Sequence, residues 1–248
     1  MNIKAVVLCG GEGKRLRPLT NYFQKTMVPI GARRRPLLEY VVRLLVHHGI
    51  HDVTLLTGYR AEEIENYFGD GSRFNARINY SRDSAKMNGS AGALSNALLT
   101  KKLRKFDQLV IYYGDVLSNL DISELISTQT STRADATLVL SKGYTLPVGV
   151  AQVNDKTVVS LKEKPMMDIN VTTGNMIINW RSIKVLQEVT SQHMPCDLMH
   201  DFVPRLLERK MNVSAYYVEG FWYDIGSVEK YQSLKSSTVE KYLRFLDT

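Results

Sequence analysis

Residues 3–17 read IKAVVLCGGEGKRLR: a near-continuous apolar run, then glycines, then cations. A run of this kind that stops at glycine fits a parallel strand buried on both faces, because neither face alternates to polar residues. The chain therefore enters a sheet in its interior. Residues 36–48 continue with Leu37, Tyr40, Val41, Leu44 and Leu45 at helical spacing, Pro36 suited to the first turn and Gly49 to the stop. Strands are expected over 52–57, 76–80 and 108–113, and helices over 61–67 and 92–99. Such alternation predicts βαβ units and a doubly wound α/β sheet with helices on both faces. From Ala134 the rhythm changes, because strand-like segments follow one another with only short turns, and a mixed or antiparallel extension is expected. Helices over 183–189 and 200–209, a strand over 212–218 and one closing helix from Val228 to about Phe245 complete the reading.

The bulk properties narrow the class. At 248 residues, with 44% hydrophobic and 23% charged residues, the chain matches one globular domain rather than a disordered or fibrous protein. No apolar stretch is long enough to span a bilayer, and residues 1–9 lack the charged-then-apolar layout of a signal peptide, so a cytoplasmic protein without membrane partners is expected. Cys9 and Cys196 are too few for a disulfide framework or a structural zinc site and show no CxxC pairing. Both read as small buried residues. His47 and His48 sit where a helix C-terminus favours cations and lack a partner at metal-ligand spacing. The net charge of +7 favours an anionic partner. Its densest run, Arg33-Arg34-Arg35, reads as a solvated loop without the interleaved aromatics of a single-strand surface, so nucleic acid is not expected.

In open α/β sheets ligands bind beyond the carboxyl ends of strands, which directs attention to residues 10–17. Glycines allow close approach of backbone N–H groups to phosphate oxygens, and Arg15 can fork onto two of them. The loop is not a Walker loop: Lys14 is followed by Arg15 instead of Ser or Thr, and Leu8 stands where the first glycine should be. Nor is it the dinucleotide fingerprint, since Leu16 replaces the last glycine. A phosphate cradle is the reading; a tight surface turn is the plain alternative.

The stretch GGEGKRLRPLT followed by QKTMVPI resembles the opening signature of the sugar-1-phosphate nucleotidyltransferases, or nucleotide-sugar pyrophosphorylases. Tyr113-Gly114-Asp115 resembles that family's metal-binding aspartate motif, and Ser90 to Leu94 its base-contacting loop and helix start. Glu163-Lys164-Pro165 resembles its sugar-binding motif, Thr173-Gly174 its sugar-facing strand, and Gly220 to Gly226 its second metal aspartate motif. Six such motifs in the family's order cover almost the whole chain. The resemblance implies a Rossmann-like mixed sheet in a single domain, with a nucleotide-binding half over 1–133 and a strand-rich sugar-binding half over 134–248. It also implies the short form of the family, without the left-handed β-helix domain of longer members.

By the same resemblance Asp115 and Asp224 hold Mg²⁺, Arg15 the departing pyrophosphate, and Lys25 the α-phosphate. Leu8, Gly10, Gly11 and Gly13 line the nucleotide, with Gly89 and Ser90 at the base. Gly149, Glu163, Lys164, Thr173 and Gly174 face the sugar phosphate. The substrates implied are a nucleoside triphosphate (UTP, dTTP or GTP) and a sugar 1-phosphate, glucose or mannose first; relatives are often homo-oligomers. The chemistry needs these residue types together, because two polyanions must meet, and positioning with charge neutralisation supplies most of the catalysis. The base stays open: relatives often carry Glu or Gln and a Pro-Leu pair before the loop, where this chain reads Ser84-Ala85-Lys86-Met87-Asn88. Asn175 reads as a strand residue or a substrate contact. Alternatives are transfer to a non-sugar phosphate such as phosphocholine, and a regulatory homologue that binds nucleotide without turnover.

Overall fold

In the computed structural model, which describes residues 1–247, the opening apolar run forms β1 (Ile3–Leu8). A short ribbon of β2 (Pro29–Ile30) and β3 (Arg35–Pro36) precedes α1 (Leu37–His47), β4 (Asp52–Thr57), α2 (Ala61–Phe68), β5 (Arg77–Arg82), α3 (Ser90–Leu99) and β6 (Gln108–Tyr113). Next come β7 (Val116–Ser118), α4 (Ile122–Ser131), β8 (Ala136–Thr145), β9 (Val150–Asn154), β10 (Thr157–Lys162) and β11 (Met166–Asn179). The chain continues with α5 (Ile183–Gln192), α6 (Val203–Glu208), β12 (Val213–Tyr217), β13 (Trp222–Asp224), α7 (Val228–Ser233) and α8 (Ser236–Leu243).

Seven strands form the central sheet in the order β12-β8-β11-β6-β1-β4-β5. All neighbours are parallel except at β11, which runs antiparallel to both β6 and β8. The period-two geometry of a strand sends alternate residues to opposite faces. On β1, Ala5 and Val7 pack into one core cluster while Val6 packs into the other. On β6, Val110 and Tyr112 are divided in the same way from Leu109 and Ile111. Helices α1, α2, α4 and α8 cover the first face, and α3, α5 and α6 the second. The expected Rossmann-like arrangement, with helices on both faces and a mixed second half, is the one observed.

Four departures from the sequence reading have local causes. Helix α4 was not expected, because its Ser/Thr-rich sequence ISELISTQTS has weak helix propensity. It forms because Asp121 caps the Glu124 N–H at 2.9 Å and Ile122 and Leu125 are buried in the core. The single closing helix is two: α7 buries no residue, whereas α8 buries Val239 and Leu243, and an extended Leu234-Lys235 turn redirects the chain toward the core. The helix expected from residue 200 begins instead as a wide turn over Leu198–Phe202, capped by Asp197, before α6. The basic loop is also only partly solvated. Arg33 and Arg34 are exposed, but Arg35 is half-buried and pairs at 3.3 Å with Glu39. That buried carboxylate also receives Arg43 Nε at 2.7 Å and the Tyr67 hydroxyl, so the charge is compensated.

If the cap nucleates α4, Asp121→Ala lowers unfolding stability by about 1 kcal/mol. Urea denaturation checks this; an unchanged midpoint would show that burial alone holds the helix.

Candidate functional site

The carboxyl ends of β1, β4, β5 and β6 open onto a cavity of about 320 Å³. Of the residues singled out in the sequence, it brings together Leu8, Gly10, Gly11, Lys25, Gly89, Ser90 and Asp115, and it adds Cys9, Thr26, Leu56, Asp83, Ala93 and Tyr113. Asp115 follows β6 and Asp83 follows β5. Three inter-strand spacings separate those strands, about 14 Å across the sheet. The cavity therefore has two differently charged ends.

At the Asp115 end, the buried side chain of Gln24 stitches two loops together. Its amide donates to the Cys9 carbonyl at 2.6 Å and to Gly11 O at 3.4 Å, and its Oε1 accepts from Thr26 N and Oγ1. That arrangement fixes the turn carrying Lys25, whose ammonium pairs with Asp115 Oδ2. Gly13, in the left-handed region at φ 64°, packs against the Lys25 stem: a Cβ there would lie 2.9 Å from Lys25 Cβ. The ribbon of β7 and β13 then delivers Asp224, which pairs in register with Val116, while Ile225 N donates to Asp115 O at 2.9 Å. Asp224 Oδ2 accepts from Lys230 Nζ at 2.8 Å. A Cβ on Gly226 would lie 3.1 Å from Asp224 Oδ2 and 3.4 Å from an Arg15 guanidinium nitrogen, so Arg15 and Asp224 converge beside that glycine.

At the other end, Gly89 has φ +81°, and a Cβ there would overlap the Cys196 carbonyl. Ser90 donates to Asp197 Oδ2 at 2.7 Å and accepts Leu198 N–H at 2.8 Å. Asp83 was not picked out from sequence, although its place one residue beyond a strand was the available signal. Its Oδ2 nestles where both Gly10 and Gly58 lack side chains; a Cβ on Gly10 would stand 2.5 Å away. Among the described residues no hydrogen bond or ion pair engages this carboxylate, and desolvation pushes its pKa above the usual carboxylate value.

Several of the sugar-side residues stand elsewhere. The Thr173 hydroxyl is buried and donates to Val139 O at 3.2 Å, inside the sheet. Gly174 packs against the Tyr113 ring, which a Cβ would meet at 3.1 Å, and Asn175 Oδ1 accepts Tyr113 N–H at 2.9 Å. These two set the position of Tyr113 in the cavity wall. Gly149, Glu163 and Lys164 lie at the base of the exposed β9–β10 hairpin, outside the cavity lining, with Glu163 Oε2 2.9 Å from where a Gly149 Cβ would be.

Residues 4–241 match the family model described as nucleotidyl transferase. The chain belongs to that family. A UTP–glucose-1-phosphate uridylyltransferase of Synechocystis is 30% identical across 92% of this chain and 61% of its own length. The chain thus spans about six-tenths of that relative. A D-glycero-α-D-manno-heptose 1-phosphate guanylyltransferase of Aneurinibacillus thermoaerophilus is 31% identical across 93% of this chain and 96% of its own length. The structure of HddC from Yersinia pseudotuberculosis complexed with GMP-PN superposes with a TM-score of 0.71 at 20% identity, covering 96% of this chain and 99% of that one. That likeness concerns the fold.

The Asp115 end of the cavity places Lys25 beside a carboxylate, with Arg15 close to Asp224. The two aspartates there are hard oxygen donors already matched with ammonium groups, a donor set that fits a magnesium-type cation sharing substrate phosphates. The described chain contains no helix long and apolar enough to cross a membrane.

The Asp83 shift gives a test of the other end. A carboxylate whose pKa is raised by folding is most stabilising when protonated, and its contribution declines as pH rises through the raised value. Asp83→Asn should therefore raise the urea midpoint at pH 7 and leave it unchanged in acid below the ordinary carboxylate range. Equal effects at both pH values would show that charge burial is not the cause.

Proposed function

We propose that the protein transfers a nucleoside monophosphate from a nucleoside triphosphate to a sugar 1-phosphate, with Mg²⁺, releasing pyrophosphate. The observation that carries this reading is the pairing of Lys25 with Asp115 at one end of a cavity walled by strand ends and glycines, with the β7–β13 ribbon bringing Asp224 next to that end and Arg15 meeting Asp224 at Gly226. A sugar phosphate oxygen attacks the α-phosphorus while pyrophosphate leaves from the opposite side. A phosphate monoester is largely a dianion near neutral pH, so the nucleophile needs no general base. Lys25 meets the charge growing on the α-phosphoryl oxygens, Arg15 holds the departing pyrophosphate, and Asp115 with Asp224 would hold Mg²⁺, which when bound neutralises phosphate charge. Residues 1–133 serve the nucleotide and residues 134–248 the acceptor, with Glu163 and Lys164 reaching it from the hairpin base. Glucose or mannose 1-phosphate is the preferred acceptor.

Among triphosphates, Asp83 favours GTP. An ionised carboxylate only accepts hydrogen bonds. Guanine alone presents two adjacent donors, N1–H and the 2-amino group, on one edge; in uracil and thymine a single N–H is flanked by carbonyls, which a carboxylate repels. In adenine and cytosine the amino group adjoins an acceptor. The guanylyltransferase of Aneurinibacillus, matched across 96% of its length, supports the same choice.

The test crosses five triphosphates with glucose, mannose and manno-heptose 1-phosphates and phosphocholine, reading pyrophosphate. Release is expected only with Mg²⁺, a triphosphate and a sugar phosphate together, fastest with GTP; no release from any pairing would refute transfer. Lys25→Ala, Asp115→Asn and Asp224→Asn should each cut turnover by about 100-fold or more. Near-normal rates would remove that residue from the mechanism. Asp83→Asn should erode the preference for GTP by roughly 10-fold or more, the worth of a two-donor contact.

A further inference from the structure

Behind the base end of the cavity, the segment 193–201 (HMPCDLMHD) folds back on itself and gathers a second set of metal-type donors. His193 Nε2, a carboxylate oxygen of Asp201 and Cys196 Sγ all lie within 4.8 Å of one another, with His193 Nε2 3.4 Å from Asp201 Oδ1. We propose that His193, Cys196 and Asp201 form a binding site for a borderline transition-metal ion of the Zn²⁺ class, separate from the Asp115–Asp224 pair.

The donor chemistry selects the ion. Thiolate plus imidazole plus carboxylate is a zinc-type set, whereas Mg²⁺ and Ca²⁺ take oxygen ligands. Two cysteines in the sequence gave no zinc pattern; the fold replaces a second cysteine with His193, three residues upstream, and Asp201, five downstream. The carboxylate is already oriented. Asp201 Oδ2 accepts Asp197 N–H at 2.6 Å, and His200 Nδ1 lies 2.6 Å from Oδ1, the kind of outer support that ligating carboxylates have. Cys196 is buried, whereas His193 is exposed, so the ion enters from the His193 side. Water completes four-coordination. Without metal the Cys196 sulfur is a buried thiol close to Asp201. Binding replaces that S–H bond with an S–metal bond and releases one proton to solvent.

The location gives the ion a structural consequence. The Cys196 carbonyl accepts Ala91 N–H at 3.0 Å and Gly92 N–H at 3.3 Å, and Cys196 N donates to Asn88 O at 3.1 Å. These bonds hold the loop and first turn of α3 that form the Gly89–Ser90 wall. An ion on Cys196 would therefore anchor that wall from outside the cavity.

The experiment uses the full chain, prepared metal-free under reducing conditions and titrated with Zn²⁺ against a chromophoric chelator in excess Mg²⁺. One ion per chain is expected, displacing about one proton, and Co²⁺ in its place should show thiolate charge-transfer absorption. His193→Ala and Cys196→Ser should each weaken binding by about 100-fold or more, whereas Asp224→Asn should leave it unchanged. Because Cys196 is buried and its variant can lose the fold, the exposed His193→Ala is the deciding variant. A chain that stays metal-free at micromolar free Zn²⁺ overturns the proposal. So does binding that is unchanged in His193→Ala, or a Co²⁺ complex without the thiolate band.

Discussion

Three backbone residue pairs between β7 and β13 are the joint on which the candidate site depends. They bring Asp224 beside Asp115 and place Gly226 where Arg15 and the Asp224 carboxylate meet. A two-stranded ribbon this short is not stable alone. It persists because Val116, Leu117, Phe221 and Ile225 are buried in the core around it. Phe221 also stacks on Tyr242 of α8 with centroids 5.1 Å apart. Helix α8 thus supports the ribbon, and the ribbon positions the acidic residues.

The two ends of the cavity handle polarity in opposite ways. Around Gln24 every strong hydrogen-bonding atom has a partner, so the glycine loop and the Lys25 turn form one rigid piece. Around Asp83 the carboxylate has no protein partner among the described residues and stays open to solvent, with partial desolvation raising its pKa. On the proposed function, the satisfied network lies where phosphate is held and the open acceptor where an incoming base supplies donors.

How much of this the sequence carried depends on the signal each element leaves. β4 and β6 were readable to the residue, because buried parallel strands write themselves as apolar runs bounded by turn residues. Helix α4 was hidden by its Ser/Thr-rich composition, although the Asp121-x-x-Glu124 pattern that starts it was present. β7 and β13 are too short for any periodicity, so the contact that joins the two acidic motifs had to come from tertiary structure. Resemblance supplied the residues of the phosphate end; it did not supply Asp83, whose meaning depends on Gly10 and Gly58 both lacking a side chain above it. The grouping of His193, Cys196 and Asp201 likewise follows from a turn rather than a spacing rule.

The β9–β10 hairpin pairs only with itself and is exposed along both strands. None of its residues belongs to either core cluster. Its side chains therefore add little to the packed core. On the proposed function, the residues beside it, Gly149, Glu163 and Lys164, are free to change with the acceptor while the nucleotide end stays fixed. On that reading, acceptor choice and fold maintenance lie in different parts of the sequence.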